Sequence, residues 1–148
     1  MLYNVLKIER GTTVDGPGFR TSIYLAGCRH RCPGCHNPQS WDFEAGVKMS
    51  LEEIMDVVRE EEFNVTLTGG DPLYNPGGAG ALVKAIRAEG LTVWIYTGFT
   101  WEEIVEDKSL IAAVEGAEAI VEGRFMESLL DESLPFRGSS NQRIVYLA

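Results

Sequence analysis

Short β-rich runs alternate with amphipathic helices along most of this chain, and that alternation restricts its fold more than any other feature. Residues 21–26, 63–68, 91–96, 117–121 and 143–147 each read as a strand. Ser50, Leu51, Glu52 and Glu53 form a capping box, with Ile54, Val57 and Val58 on one face of the helix that follows. Thr100, Trp101, Glu102 and Glu103 repeat the device before Ile104. A third helix, over residues 81–88, turns Leu82, Val83 and Ile86 inward and stops at Gly90. Strands joined through helices lie parallel with crossover connections, so the sheet is expected to be largely parallel. The 148 residues suffice for a single domain, 1–148, with its own core. They are too few for a closed eightfold barrel of about 250 residues. The expected class is therefore α/β, a single-domain partial (open) β/α barrel.

Each unusual loop follows a strand. The cysteine segment comes after Ala26; Gly69, Gly70 and Asp71 after Thr68; Thr97 and Gly98 after Tyr96; Glu122, Gly123 and Arg124 after Val121. Ligands of parallel α/β sheets bind at the carboxyl ends of the strands, so these four loops should share one face. The glycine pair is either a tight turn or bare backbone against which a ligand lies. Asp71 either caps the turn ahead of Pro72 or offers its carboxylate to a cationic amine. Residues 75–80 are glycine-rich but lack the Lys-Ser/Thr pair of a phosphate loop, and read as a flexible connection. Trp41, Trp94 and Trp101 read as core or helix-start packing.

The three cysteines of the chain, Cys28, Cys32 and Cys35, fall within eight residues in the order Cys-x-x-x-Cys-x-x-Cys. Three thiolates on so short a loop converge on one centre, and that much buried negative charge needs a cation to neutralise it. A four-iron cluster is normally held by four cysteines, so three would leave one iron open for chemistry. A Cys3His zinc site is the alternative, with His30 or His36 as the fourth ligand. Both histidines lie within or beside the cysteine loop, whereas zinc modules usually supply a separate second arm.

The 45% hydrophobic and 24% charged composition is that of a globular protein; no apolar run is long enough to span a bilayer, and no signal peptide is evident. A cytoplasmic location is the expectation. The net charge of −9 argues against nucleic acid as a partner, because phosphate binding rests on a basic surface. Locally, however, Arg20, Arg29, His30 and Arg31 surround the cysteines, either as a solvated loop or as a surface for an anionic ligand or an acidic electron-donor protein.

With these motifs in place the chain resembles the radical S-adenosylmethionine superfamily, whose hallmark is the same cysteine spacing. Asp15-Gly16-Pro17-Gly18, Arg20, Gly27-Cys28, Cys32-Pro33-Gly34-Cys35-His36-Asn37-Pro38, Trp41, Gly69 to Leu73, Tyr96 to Gly98, Glu122 to Phe125 and Phe136 to Gln142 are similar to the subfamily that activates anaerobic ribonucleoside-triphosphate reductase. The likeness runs from about Asp15 to the end. It implies that Cys28, Cys32 and Cys35 hold a 4Fe-4S cluster whose open iron is chelated by S-adenosylmethionine. Gly69, Gly70 and Asp71 would contact the methionine amino group, Gly34, Cys35 and His36 would line the adenine side, and Thr97 and Gly98 would meet the ribose or methionine portion. The implied chemistry is reductive cleavage of S-adenosylmethionine to methionine and a 5'-deoxyadenosyl radical, which makes a glycyl radical on the large subunit of the reductase. Flavodoxin or ferredoxin is the implied electron donor, with no role for nucleic acid or membrane. Gly34 stands where the superfamily often has an aromatic residue, and Gly-Gly-Asp replaces Gly-Gly-Glu; both variants suit this subfamily. Competing readings are another glycyl-radical activase and a non-catalytic iron-sulfur or zinc module. For residues 137–142 the alternatives are a turn into the last strand and a contact with partner or cofactor.

Overall fold

The computed structural model describes residues 1–35 and 38–147. Strands β1 (Leu2–Thr12), β2 (Arg20–Leu25), β3 (Val47–Ser50), β4 (Asn64–Gly69), β5 (Val93–Tyr96), β6 (Ala119–Glu122) and β7 (Arg143–Tyr146) form one sheet in the order β3-β1-β2-β4-β5-β6-β7. The centre, β2 to β6, is parallel. Its margins are antiparallel, with β1 pairing both β2 and β3 and β7 pairing β6. The sheet is thus mixed: β4, β5 and β6 follow one another through helices and lie parallel beside β2, whereas β1, β3 and β7 add antiparallel pairs at its margins.

Helices α1 (Leu51–Glu61), α2 (Pro76–Ala88), α3 (Trp101–Glu106) and α4 (Lys108–Val114) lie between the strands. Both expected capping boxes are present. Ser50 Oγ accepts from Glu53 N at 3.1 Å while Glu53 Oε1 accepts from Ser50 N at 2.9 Å, and Thr100 and Glu103 reproduce the pair. Each such exchange satisfies two N–H groups that the first helical turn leaves open.

Side chains alternate across the sheet with a period of two. Ile23, Leu25, Val65, Leu67, Val93, Ile95 and Ile120 face the helices, where they pack with Ile54, Met55 and Val58 of α1, Leu82, Val83 and Ile86 of α2, Ile104 of α3 and Leu110 of α4. The other face carries Trp94, Ala119 and Val121, packed against Tyr96, Phe136 and Ile144. It also carries the buried Arg20 and Thr66. Among the described residues no helix is long and apolar enough to cross a membrane.

Residues 75–80 correct the sequence reading. They are not a flexible connection: α2 begins at Pro76, capped by Asn75, whose Oδ1 accepts from Gly78 N at 3.2 Å. The glycines are there for close approach. A Cβ on Gly78 would stand 2.9 Å from Cε1 of Tyr3, and one on Gly80 would stand 3.4 Å from Cα of Ala113. Tertiary packing here outweighs the poor helix propensity of glycine.

Candidate functional site

A cavity of about 420 Å³ opens where the loops after β2, β4, β5 and β6 meet, within the range typical of small-molecule sites. Cys28, Cys32 and Cys35 line it together with Gly69, Gly70, Thr97 and Gly98. The four strand-end loops therefore share one face, as the alternation of strands and helices predicts.

The cysteine segment is held from below by the polypeptide that follows it. Gly27 N donates to Ser40 O at 2.7 Å and Cys28 N to Trp41 O at 3.3 Å. Arg29 lies 5.0 Å over Phe43 and Arg31 5.7 Å over Trp41. Arg31 adopts a left-handed backbone, φ 52°. The backbone N–H groups of His30 and Arg31 both reach the Cys28 sulfur, and that of Phe125 reaches Cys32. Successive N–H groups converging on one acceptor make a seat for negative charge.

Burial pushes the Cys28 thiol up to about 11 and raises that of Cys32 as well, in each case against the hydrogen bonds that favour the thiolate. A cation bound in the cavity would favour the thiolates, whose protons would leave to solvent. Three sulfurs around one space, two of them supplied with backbone donors, fit the demands of an iron-sulfur cluster, which takes its thiolates on separate irons. Among the described residues no three His, Cys, Asp or Glu side chains form a group that could hold a single metal ion.

His30 is turned inward and engaged at both nitrogens. Its Nε2 lies 2.7 Å from Asp71 Oδ2, its Nδ1 lies 3.5 Å from Tyr74 Oη, and the two side chains of the His30–Asp71 pair are only 3% and 1% exposed. The same Asp71 oxygen accepts from Thr97 Oγ1 at 3.0 Å and Gly98 N at 2.9 Å, and Oδ1 accepts from Leu73 N at 3.0 Å. Asp71 thus caps the turn ahead of Pro72 and, from behind the cavity, ties three of its loops together.

The glycine pair serves the same junction. Gly69 has φ 112°, and its Cβ would strike the backbone of Leu25. A Cβ on Gly70 would stand 2.6 Å from Gly27 O and 2.8 Å from Ser40 O. Gly34 is covered by Glu127, whose Oε2 would be 2.5 Å from an added Cβ. His36 lies outside the described residues.

Of five further cavity residues, four entered the sequence reading only as parts of longer motifs, without a role of their own, and Tyr24 only within the strand at residues 21–26. Asp15, Tyr24, Tyr96, Phe125 and Gln142 all line the cavity. Asp15 Oδ2 accepts from Tyr24 Oη at 3.0 Å, and its backbone oxygen accepts from Thr66 Oγ1 at 2.6 Å. The run Asp15-Gly16-Pro17-Gly18 was the available signal, but nothing local says that it folds back across the sheet. The donors of residues 137–142 are largely used internally: Gln142 Nε2 donates to Gly123 O, Asn141 Nδ2 donates to Arg124 O, and Gln142 Oε1 accepts from Gly138 N. This segment buttresses the loop after β6.

The cysteines lie on one loop at the carboxyl end of β2, and the family described as "4Fe-4S single cluster domain" matches residues 14–145. The chain is 35% identical over 144 residues to the anaerobic ribonucleoside-triphosphate reductase-activating protein of Escherichia coli (strain K12), covering 90% of this chain and 92% of that one. Identity to the protein of that name from Pasteurella multocida (strain Pm70) is 36% over 143 residues, 90% of each. Identity to that of Enterobacteria phage T4 is 30% over 139 residues, 88% of this chain and 86% of the other. The chain belongs to the family of anaerobic ribonucleoside-triphosphate reductase-activating proteins.

Proposed function

We propose that this chain activates anaerobic ribonucleoside-triphosphate reductase by placing a glycyl radical on its large subunit, using S-adenosylmethionine and a 4Fe-4S cluster on an open β/α barrel. The observation that carries the reading is the shared cavity: the three cysteines and the Gly69, Gly70, Thr97 and Gly98 backbone line one space. When bound, the reduced cluster supplies the electron that cleaves S-adenosylmethionine to methionine and a 5'-deoxyadenosyl radical, which takes a hydrogen atom from glycine. Such a reduction needs a very negative couple, and cluster potentials reach about −700 mV.

The protein's own work is positional. Cys28, Cys32 and Cys35 hold the cluster, and the N–H groups of His30, Arg31 and Phe125 offset charge on two of the sulfurs. Gly69 and Gly70 present backbone to the methionine amino group. Asp71 acts there through the chain it fixes, since its carboxylate is taken up by His30, Leu73, Thr97 and Gly98. Cys35 and Gly34, with His36 next in the sequence, would line the adenine side, and Thr97 and Gly98 the ribose or methionine portion. Arg29 and Arg31, exposed next to the cysteines on a chain of net charge −9, suit an acidic donor such as flavodoxin or ferredoxin.

The test is anaerobic. The chain is reconstituted with iron and sulfide, reduced with dithionite and given S-adenosylmethionine, and 5'-deoxyadenosine is assayed with and without the reductase, whose glycyl radical is read by electron paramagnetic resonance. The reading expects both signals, each lost in Cys28→Ala, Cys32→Ala and Cys35→Ala. A fully loaded, reduced protein that yields neither product would overturn it.

A further inference from the structure

We infer that His30 is the positioning residue of the cluster loop: Asp71 fixes its ring, and the fixed ring sets the backbone that presents hydrogen bonds to the Cys28 sulfur. This rests on the reading of Cys28, Cys32 and Cys35 as cluster ligands. Of the three residues between Cys28 and Cys32, Arg29 and Arg31 are exposed and reach aromatic rings behind the loop, while the ring of His30 points into the protein. Among the described residues, the groups against that ring belong to the loops after β4 and β5. Asp71 Oδ2 lies 2.7 Å from Nε2; the rings of Tyr74 and Phe99 pack at 5.0 and 4.8 Å; Gly98 closes the remaining side. A carboxylate only accepts, so Nε2 carries the hydrogen, and the bond is charge-assisted and sheltered from solvent.

The consequence is mechanical. His30 and Arg31 direct their backbone N–H groups at the Cys28 sulfur. Hydrogen bonds to cluster sulfurs are among the features that set a cluster's potential, because they favour the more negative, reduced form. The ring and the N–H of His30 share one Cα, so an unanchored ring releases the geometry of those bonds. Partners that orient a metal ligand without touching the metal typically change affinity by about 10- to 100-fold.

The experiment compares His30→Phe, which keeps a ring without the N–H; His30→Gln, which keeps a donor; and Asp71→Asn. Each is reconstituted as the full chain, without S-adenosylmethionine. Three quantities are read: the rate at which a chelator removes iron, the midpoint potential of the cluster, and the thermal unfolding of the metal-free chain as a control for folding. His30→Phe is expected to release iron about tenfold faster with a more negative potential, and His30→Gln to recover both towards wild type. Asp71→Asn is expected to speed release less in the His30→Phe background than in wild type, since both remove one interaction. Release and potential unchanged in His30→Phe, or a His30→Gln variant as impaired as His30→Phe, would overturn the inference. Should His30→Phe not fold, Asp71→Asn decides by the same readings: faster release supports it and wild-type release sinks it. A wild type that keeps its cluster but does not cleave S-adenosylmethionine counts against the proposed function alone.

Discussion

The ring of His30 rests directly on Gly98: a Cβ at that glycine would stand 2.5 Å from Cδ2 and 2.8 Å from Nε2. Neither partner has room to yield. Tyr74 and Phe99 pack on the ring, and Gly98 N is held by Asp71 Oδ2 at 2.9 Å. Gly98→Ala is therefore predicted to destabilise the metal-free chain by about 1–3 kcal/mol, the usual cost of overpacking. Urea denaturation of the variant checks it. A loss within about 0.5 kcal/mol, the range of an ordinary surface substitution, would show the junction to be soft.

Loss of a thiol should separate metal from fold. Cys28, Cys32 and Cys35 are each only half-buried, and burial holds the first two as neutral thiols in the metal-free chain. Replacing one by serine removes a ligand but little apolar contact. Each single Cys→Ser variant is predicted to bind much less iron and sulfide than wild type, with metal-free stability lowered by no more than about 1 kcal/mol, the centre of the range for point substitutions. Iron content and thermal unfolding measured on the same samples test both halves. A variant that keeps a full complement of iron would remove that cysteine from the ligand set.

Acid should weaken the clamp between α3 and the loop after β6. The Arg124 guanidinium first, then the backbone N–H of Thr100, hold the Glu103 carboxyl at about 2 instead of its ordinary 4.5. A carboxyl depressed by folding contributes stability that is fully present above the unfolded value and is lost as pH falls through the folded one. The window is therefore pH 4.5 down to about 2. Both side chains are some two-fifths exposed, so solvent screening limits the contribution to about 1 kcal/mol or less. Arg124→Met is predicted to be less stable than wild type near neutral pH, with the difference closing across that window. Denaturation curves at a series of pH values test this; a gap that stays constant would mean that the pair does not couple to folding.

What the sequence disclosed about this architecture was mostly what is local in it. The capping boxes at Ser50 and Thr100 and the inward faces of α1 and α2 depend on residues three or four apart, and they are read directly. β1 and β3 were not read, because their assignment depends on pairing such as Val5 with Val47 and Leu25, which no short window contains. Residues 75–80 misled because glycine signals flexibility in isolation, whereas here it admits Tyr3 and α4. The cysteines and the strand-end loops were legible from spacing. The capping of the turn ahead of Pro72 by Asp71 was among the readings, but its bond to His30 was not, since His30 lies 41 residues away and the glycine pair at the end of β4 looks the same whether it faces a ligand or another stretch of backbone.

Arg20 carries the most exacting of these expectations. It is buried against the open face of the sheet at 1% exposure, and it makes three directed bonds: Nε to Thr66 Oγ1 at 2.8 Å, one terminal nitrogen to Pro17 O at 3.1 Å and the other to Val65 O at 2.9 Å. Its guanidinium also lies 5.7 Å over Trp94. Thr66 in turn holds Asp15 at the cavity, so the residue joins the run ahead of β2 to the sheet. Burial lowers the guanidinium below its usual range, with Glu118 the largest opposing charge, yet arginine stays protonated in proteins. Arg20→Lys retains the charge but replaces a planar fork by a single ammonium that cannot reach all three acceptors. Each buried acceptor left open costs about 1–3 kcal/mol, so Arg20→Lys is predicted to lose roughly 2–5 kcal/mol, and Arg20→Met no less. Equilibrium unfolding of the metal-free chain decides it: a lysine variant within about 0.5 kcal/mol of wild type would show that charge alone, and not the directed bonds, holds Asp15 and its loop in place.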